Sequence, residues 1–309
     1  MANVIAVIWD FDKTLIDGYM QAPLFEDYKI DGSKFWSEVN ALPEKYKEQG
    51  VIVNKDTIYL NHILEYVRKG RFKGLNNKKL MSYGARQKFY PGAIELIKYT
   101  NNFLYQSESK AKYEEYNIKV ENYVVSTGMR KVLEGTVLSK DKLVQGIWGC
   151  EFIDGINPVT KEEELQDIGY TIDNTSKTRA LFEINKGIPK HPEIDVNAKM
   201  DETSRRVKFN HMIYIADGPS DVPAFSVVKK FGGATFAVYP HGDSDAFNQV
   251  EKLREDGRID MYGEANYSKG TTAYMWITHK IKEFADQICK DEKNKLDASV
   301  SRAPHHLTK

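Results

Sequence analysis

Cysteine is nearly absent from this chain of 309 residues. Cys150 and Cys289 stand far apart in no metal-type spacing, so neither a disulfide framework nor a thiolate zinc site is expected. That scarcity fits a reducing compartment or any other disulfide-free location. Charge imbalance is absent as well: Lys plus Arg number 44, as do Asp plus Glu. A surface built for polyanions would unbalance that count, so nucleic acid is not the expected partner, although a local basic patch is compatible with it. No stretch approaches the roughly 18 apolar residues of a membrane span. The apolar run at the N-terminus has no basic segment before it and is broken early by Asp10 and Asp12, which makes a poor signal peptide. A cytoplasmic protein is the expectation. No internal repeat is visible.

What is present is a globular composition, 41% hydrophobic and 28% charged, in a chain long enough for a core domain and a smaller second one. Four short apolar runs lead into Gly-containing turns or helical patterns: "VIAVIW" (4–9), "NYVVSTG" (122–128), "HMIYIADG" (211–218) and "ATFAVYPHG" (234–242). This alternation predicts an α/β fold with a doubly wound, Rossmann-like parallel sheet. Ligands of such sheets bind beyond the carboxyl ends of the strands, where Asp10, Ser126 and Asp217 stand. Residues 15–90 carry helical spacing with little strand signal and read as an inserted helical module. Residues 1–14 and 91–290 would form the α/β core. Residues 147–173 read as a strand pair, 188–210 as an exposed insertion, and 291–309 as a disordered tail.

Asp10 and Asp12 are two apart on an extended chain, so both side chains face one way while Phe11 packs the other. One carboxylate can act as nucleophile and the other can handle protons. Alone, "DFD" is weak, because turn-forming Asp is common at strand ends. Context strengthens it: "DFDKT", "VVSTG", "SKTRALFEI" and "YIADGPSD" follow in that order between residues 10 and 221. The set resembles the four motifs of the haloacid dehalogenase superfamily of phosphatases. The inserted helices resemble the cap of its phosphoserine-phosphatase-like branch.

The resemblance implies Asp10 as nucleophile, forming an aspartyl-phosphate, and Asp12 as the acid and base for the leaving group and water. Thr14 would help fix the loop. Ser126, with backbone N–H groups around Thr127 and Gly128, would hold phosphate oxygens, and Lys177 would neutralise Asp10 and the phosphoryl group. Asp217 would bind Mg²⁺ with the Asp10 carboxylate and the Asp12 carbonyl, and Asp221 would hold that site from behind. Physics asks for these helpers independently: unit charges about 4 Å apart repel by about 4 kcal/mol at an effective dielectric of about 20. Carboxylates with phosphate and water oxygens suit hard Mg²⁺.

Rival readings exist for several positions. Ser126 competes with Thr127 and is preferred because it directly ends the apolar run; it also has the alternative of capping a helix. Lys177 competes with Lys186, which lies late in its helix, where lysines are usually solvated. Dehalogenation needs neither Asp12 nor the Asp217/Asp221 cluster. The expectation is a Mg²⁺-dependent phosphatase acting on a small phosphorylated metabolite, with a phosphomutase or phosphotransferase, or a phosphate-ligand binding module, as alternatives. In phosphoserine phosphatases an acid nine positions after the nucleophile grips the substrate amine. Here that position is Tyr19. Gln21, Arg68, Arg71 and Arg86 are further contributors to weigh, the arginines reading first as solvated surface.

Overall fold

The computed structural model describes residues 3–300, with side chains through residue 298. The chain begins with β1 (Asn3–Trp9), whose burial is continuous from Val4 onward. A strand apolar on both faces belongs at the centre of a parallel sheet, and β1 lies there. After it come α1 (Ala22–Tyr28), α2 (Gly32–Lys47), α3 (Ile58–Arg68) and α4 (Asn77–Tyr83), with no intervening strand. The chain then runs through α5 (Ala93–Asn102), α6 (Lys110–Glu115), β2 (Ile118–Met129), α7 (Arg130–Glu134) and α8 (Val137–Lys140). β3 (Gly146–Ile156) and β4 (Glu163–Tyr170) follow, then α9 (Lys177–Lys186), β5 (Met212–Ala216) and α10 (Val222–Lys230). The last elements are β6 (Ala234–Tyr239), α11 (Ser244–Glu255), β7 (Met261–Glu264) and α12 (Thr272–Val300).

The seven strands lie in the order β4-β3-β2-β1-β5-β6-β7. All neighbours are parallel except β4, which runs antiparallel to β3. The four apolar runs of the sequence are β2, β1, β5 and β6, adjacent and parallel. Parallel neighbours need crossovers, and the helices supply them, which gives the expected α/β Rossmann-like architecture. β7 is short and its residues are only half buried, so it left little signal.

The helical segment leaves and re-enters beside β1. Ile16 bridges Phe89, and the Tyr90 N–H donates to the Leu15 carbonyl at 2.9 Å. Its interior is aromatic, with Phe35 against Phe25, Tyr66 and Phe72. The β3–β4 hairpin reaches up to it: Leu165 N–H donates to the Leu75 carbonyl at 2.8 Å, and Gly74 N–H to Glu164 Oε1 at 2.7 Å.

Two expectations need correction. Residues 291–300, expected to be disordered, continue α12. The helix is nucleated by a buried stripe that includes Ile277, Ile281, Ala285 and Ile288, and then propagates through pairs such as Lys295 with Glu292 at 2.6 Å. The remainder of that tail, 301–309, lies outside the described residues. Lys186, expected in solvent, is buried, and its ammonium donates to the carbonyls of Val196 and Ala198. The 188–210 stretch is irregular and mostly exposed, and this buried lysine ties its middle down while Val207 anchors its far end. Among the described residues no helix is long and apolar enough to cross a membrane.

Candidate active site

β1 ends at Trp9, and its next backbone N–H, that of Asp10, still donates to the Ile215 carbonyl of β5 at 2.9 Å. Asp10 is therefore fixed at the carboxyl end of the sheet, with its side chain buried. Phe11 turns away and packs edge-on against Phe89. Lys13 then adopts a left-handed backbone (φ 55°), and its N–H donates to the Gly18 carbonyl at 2.9 Å, curling the loop back. That curl lets the Thr14 hydroxyl donate to Asp10 Oδ2 at 3.3 Å, while the Met20 N–H donates to Asp12 Oδ1 at 2.9 Å.

Lys177 opens α9 and is 1% exposed. Its ammonium donates to Asp10 Oδ1 at 2.8 Å and to Asp221 Oδ1 at 2.7 Å. Asp221 also accepts from the Tyr214 hydroxyl at 2.6 Å and from Ser220 Oγ at 2.9 Å. Asp217 follows β5 directly. One oxygen each from Asp10, Asp217 and Asp221 falls within 4.8 Å of the others. The Asp12 carboxylate is not part of that group.

At the end of β2, Ser126 Oγ accepts the Gly128 N–H at 2.9 Å, which leaves the hydroxyl proton free to donate. Ser126 caps no helix, because β2 continues to Met129 and α7 starts afterwards. The Thr127 carbonyl accepts from the Tyr59 hydroxyl of α3 at 2.9 Å. Gly128 packs directly under the Met20 side chain, whose tip would have to move to admit a Cβ there.

Electrostatically the cluster is short of positive charge. Burial, reinforced by Asp10 and Asp221, pushes Asp217 up to about 7. Burial and Asp221 push Asp10 up to about 6 against the pull of Lys177. Burial and the neighbouring Asp10 hold Asp12 well above the usual carboxylate range. Lys177 is opposed by burial but carried above its ordinary value by Asp10 and Asp221. A cation seated against Asp10 and Asp217 would relieve this repulsion. The donor set is all oxygen, with no thiol or imidazole in the cluster, and fits a hard divalent ion.

A cavity of about 150 Å³ opens beside Asp12 and is lined also by Gln21, Trp36, Tyr59, Thr127 and Gly128. A larger one, about 760 Å³, lies by β7 against Arg254, Tyr262 and Thr272 and contains none of the motif residues. The motif residues meet at the carboxylate cluster and not at this larger cavity. Arg86 faces away, paired with Glu26 and Asp27. Arg71 lies over the Tyr66 ring, and neither Arg68 nor Arg71 lines the small cavity. The residues that motif reading missed are Tyr214, which holds Asp221, and Tyr267, whose hydroxyl donates to the Thr14 carbonyl at 2.6 Å. Tyr214 was visible only as a tyrosine within an apolar run, and Tyr267 only as one in a polar loop.

No family model matches the chain. A protein of Borreliella burgdorferi, described only as uncharacterized, is 38% identical over 292 residues, which cover 90% of this chain and 97% of that protein. The chain belongs to the same family as that protein. Similar solved structures include a phosphoserine phosphohydrolase-like protein from Francisella tularensis, at 16% identity and a TM-score of 0.43, covering 87% of this chain and 97% of the other. A putative β-phosphoglucomutase from Thermotoga maritima has 14% identity and a TM-score of 0.41, covering 85% of this chain and 95% of the other. A predicted phosphatase from Clostridium acetobutylicum has 15% identity and a TM-score of 0.41, covering 92% and 99% respectively.

Proposed function

We propose that this family is a branch of the haloacid dehalogenase superfamily and that the chain is a Mg²⁺-dependent phosphatase of small phosphomonoesters. One observation carries the reading: the buried Lys177 ammonium sits between Asp10 and Asp221, so three of the four sequence motifs meet at one nitrogen. Residues 1–14 and 91–290 serve as the catalytic core in this reading, and 15–90 as the cap.

Asp10 attacks phosphorus as its oxygen–phosphorus bond forms and the bond to the leaving oxygen breaks. Asp12, kept protonated by burial and by Asp10, gives its proton to that oxygen. The resulting Asp12 carboxylate then takes a proton from water, whose oxygen attacks phosphorus, releasing phosphate and restoring Asp10. Lys177 holds Asp10 in place and offsets the phosphoryl charge, while Ser126 and the backbone around Thr127 and Gly128 receive phosphate oxygens. Asp10, Asp217 and the Asp12 carbonyl would hold Mg²⁺, with Asp221 behind them; when bound, the ion supplies charge neutralisation for the phosphate. The small cavity beside Asp12 is the place for the leaving group.

Hydrolysis of p-nitrophenyl phosphate by the wild type and Asp10→Asn, each with Mg²⁺ and with EDTA, tests this. Turnover requiring both Asp10 and Mg²⁺ is expected. No turnover by folded, Mg²⁺-loaded wild type on this substrate or across a panel of phosphomonoesters overturns it.

A further inference from the structure

The opposite end of the sheet carries a second charged site. A cavity of about 240 Å³ lies where β1 begins and β5 is entered, lined by Arg205, Arg206, Lys208, His211, Lys295 and a single acid, Glu292, among others. The seven residues of β1 separate it from Asp10, about 20 Å at the ~3.3 Å rise of a strand. In a chain whose charges cancel, this concentration of cations on one wall is a local departure.

Two of the cations are already neutralised. Arg206 forms a two-pronged pair with Glu121, and Lys295 pairs with Glu292 at 2.6 Å. Arg205 and Lys208 have no ion pair among the described residues. Arg205 donates from one terminal nitrogen to Asn185 Oδ1 at 2.9 Å, and its buried Nε has no hydrogen-bond partner. That Nε is shut off from the cavity, but neither the guanidinium nor the Lys208 ammonium has a carboxylate partner there, and a charged oxygen ligand would supply one. His211, buried on the same wall, is pushed down to about 4 by burial and then by Lys208 and Lys295, against Asp291 and Glu292. With Arg206 and Lys295 set against Glu121 and Glu292, Arg205 and Lys208 are left as the cations of this wall without an ion pair among the described residues. On their other side Arg205 and Lys208 line a cavity of about 280 Å³ with one acid, Glu202, and against Phe209 and the exposed Phe231, room for an organic group.

We propose that Arg205 and Lys208 form a binding site for a phosphate-type oxyanion, separate from the catalytic cluster. The ligand is either free inorganic phosphate or the phosphate of an organic ester whose body lies toward Phe231. Because α9 runs from Lys177 to Asn185 and Lys186, an occupant held at Arg205 bears on the helix that carries the catalytic lysine.

The test follows the His211 ring resonances by NMR near neutral pH in full-length Asp10→Asn protein with EDTA, where no ester is turned over. His211→Gln assigns the signals. Inorganic phosphate and phenyl phosphate are titrated separately, with chloride at matched ionic strength as reference. A saturable shift is expected with at least one phosphate and not with chloride, weakened about tenfold or more in Arg205→Gln/Lys208→Gln. Tighter binding of phosphate or of phenyl phosphate identifies the source. A His211 response equal to that of chloride, or unchanged binding in the double variant, overturns the proposal. Neither result depends on whether the other end of the sheet is a phosphatase.

Discussion

At the scale of single residues, Lys177 is the most exposed to test. Its ammonium is the direct cationic partner of two buried carboxylates, so removing it leaves both charges unpaired. Lys177→Met is expected to lose about 3–5 kcal/mol of stability in EDTA, measured by urea denaturation, and saturating Mg²⁺ should restore part of the loss. Asp12 makes a different prediction. p-Nitrophenolate leaves readily without a proton, but the water of the second step still needs a base. Asp12→Asn is expected to release close to one equivalent of nitrophenolate in a burst, followed by turnover slowed roughly 10²–10⁴-fold, seen by stopped-flow absorbance. A uniformly slow reaction with no burst would remove Asp12 from the second step. Asp10, Asp12, Lys177 and Asp217 could be picked out in the sequence because each lies at a strand end or helix start that its own neighbours define. Tyr267 could not, since nothing near residue 267 shows that its hydroxyl will meet Thr14, 253 positions away.

At the scale of elements, the helical segment is held to the sheet by close backbone approach. Gly84, just after α4, and Gly135, at the end of α7, let the two helices touch. A Cβ on Gly135 would stand 1.8 Å from the Met81 carbonyl oxygen. Gly135→Ala must push α4 off α7, and a loss of about 1–3 kcal/mol is expected in thermal denaturation. No measurable change would mean that this contact is looser than its geometry. The helices α2 and α3 were legible from apolar spacing, and the four parallel strands from continuous apolar runs. The attachment of the segment to the β3–β4 hairpin was not, because backbone bonds such as Leu165 to Leu75 leave no residue-type signature.

At the scale of the whole molecule, two linkages set stability. In the proposed reading, Mg²⁺ would sit among buried, mutually repelling carboxylates and bind the folded chain alone. The midpoint of thermal unfolding should therefore rise with Mg²⁺ concentration, as stability gains about 1.4 kcal/mol for each tenfold increase above Kd, and Asp217→Asn should blunt the rise. His211 sets the second. Its ordinary value is 6.5, and in the fold burial lowers it to about 4. Between those values the unfolded chain binds a proton that the folded chain refuses, so the His211 contribution is full above about pH 6.5 and is lost as pH falls toward 4. It is opposite in sign to that of the raised Asp10 and Asp217, which favour the folded chain as pH falls. The His211 contribution is at most about 3 kcal/mol. As pH falls across that window the wild type should lose stability relative to His211→Gln in denaturation midpoints; parallel pH profiles would show that His211 takes up its proton without cost.

The sequence by itself determined the strands other than β7, most of the helices and the order of the chemical groups, because apolar period and strand-end residues are local properties. The tertiary structure alone decided that β4 turns antiparallel at the edge, that Lys186 is buried under residues 196–198, and that Arg205 and Lys208 share a cavity with His211. Those outcomes depend on which distant segments compete for the same space and the same unpaired polar groups, and no window of sequence holds both competitors.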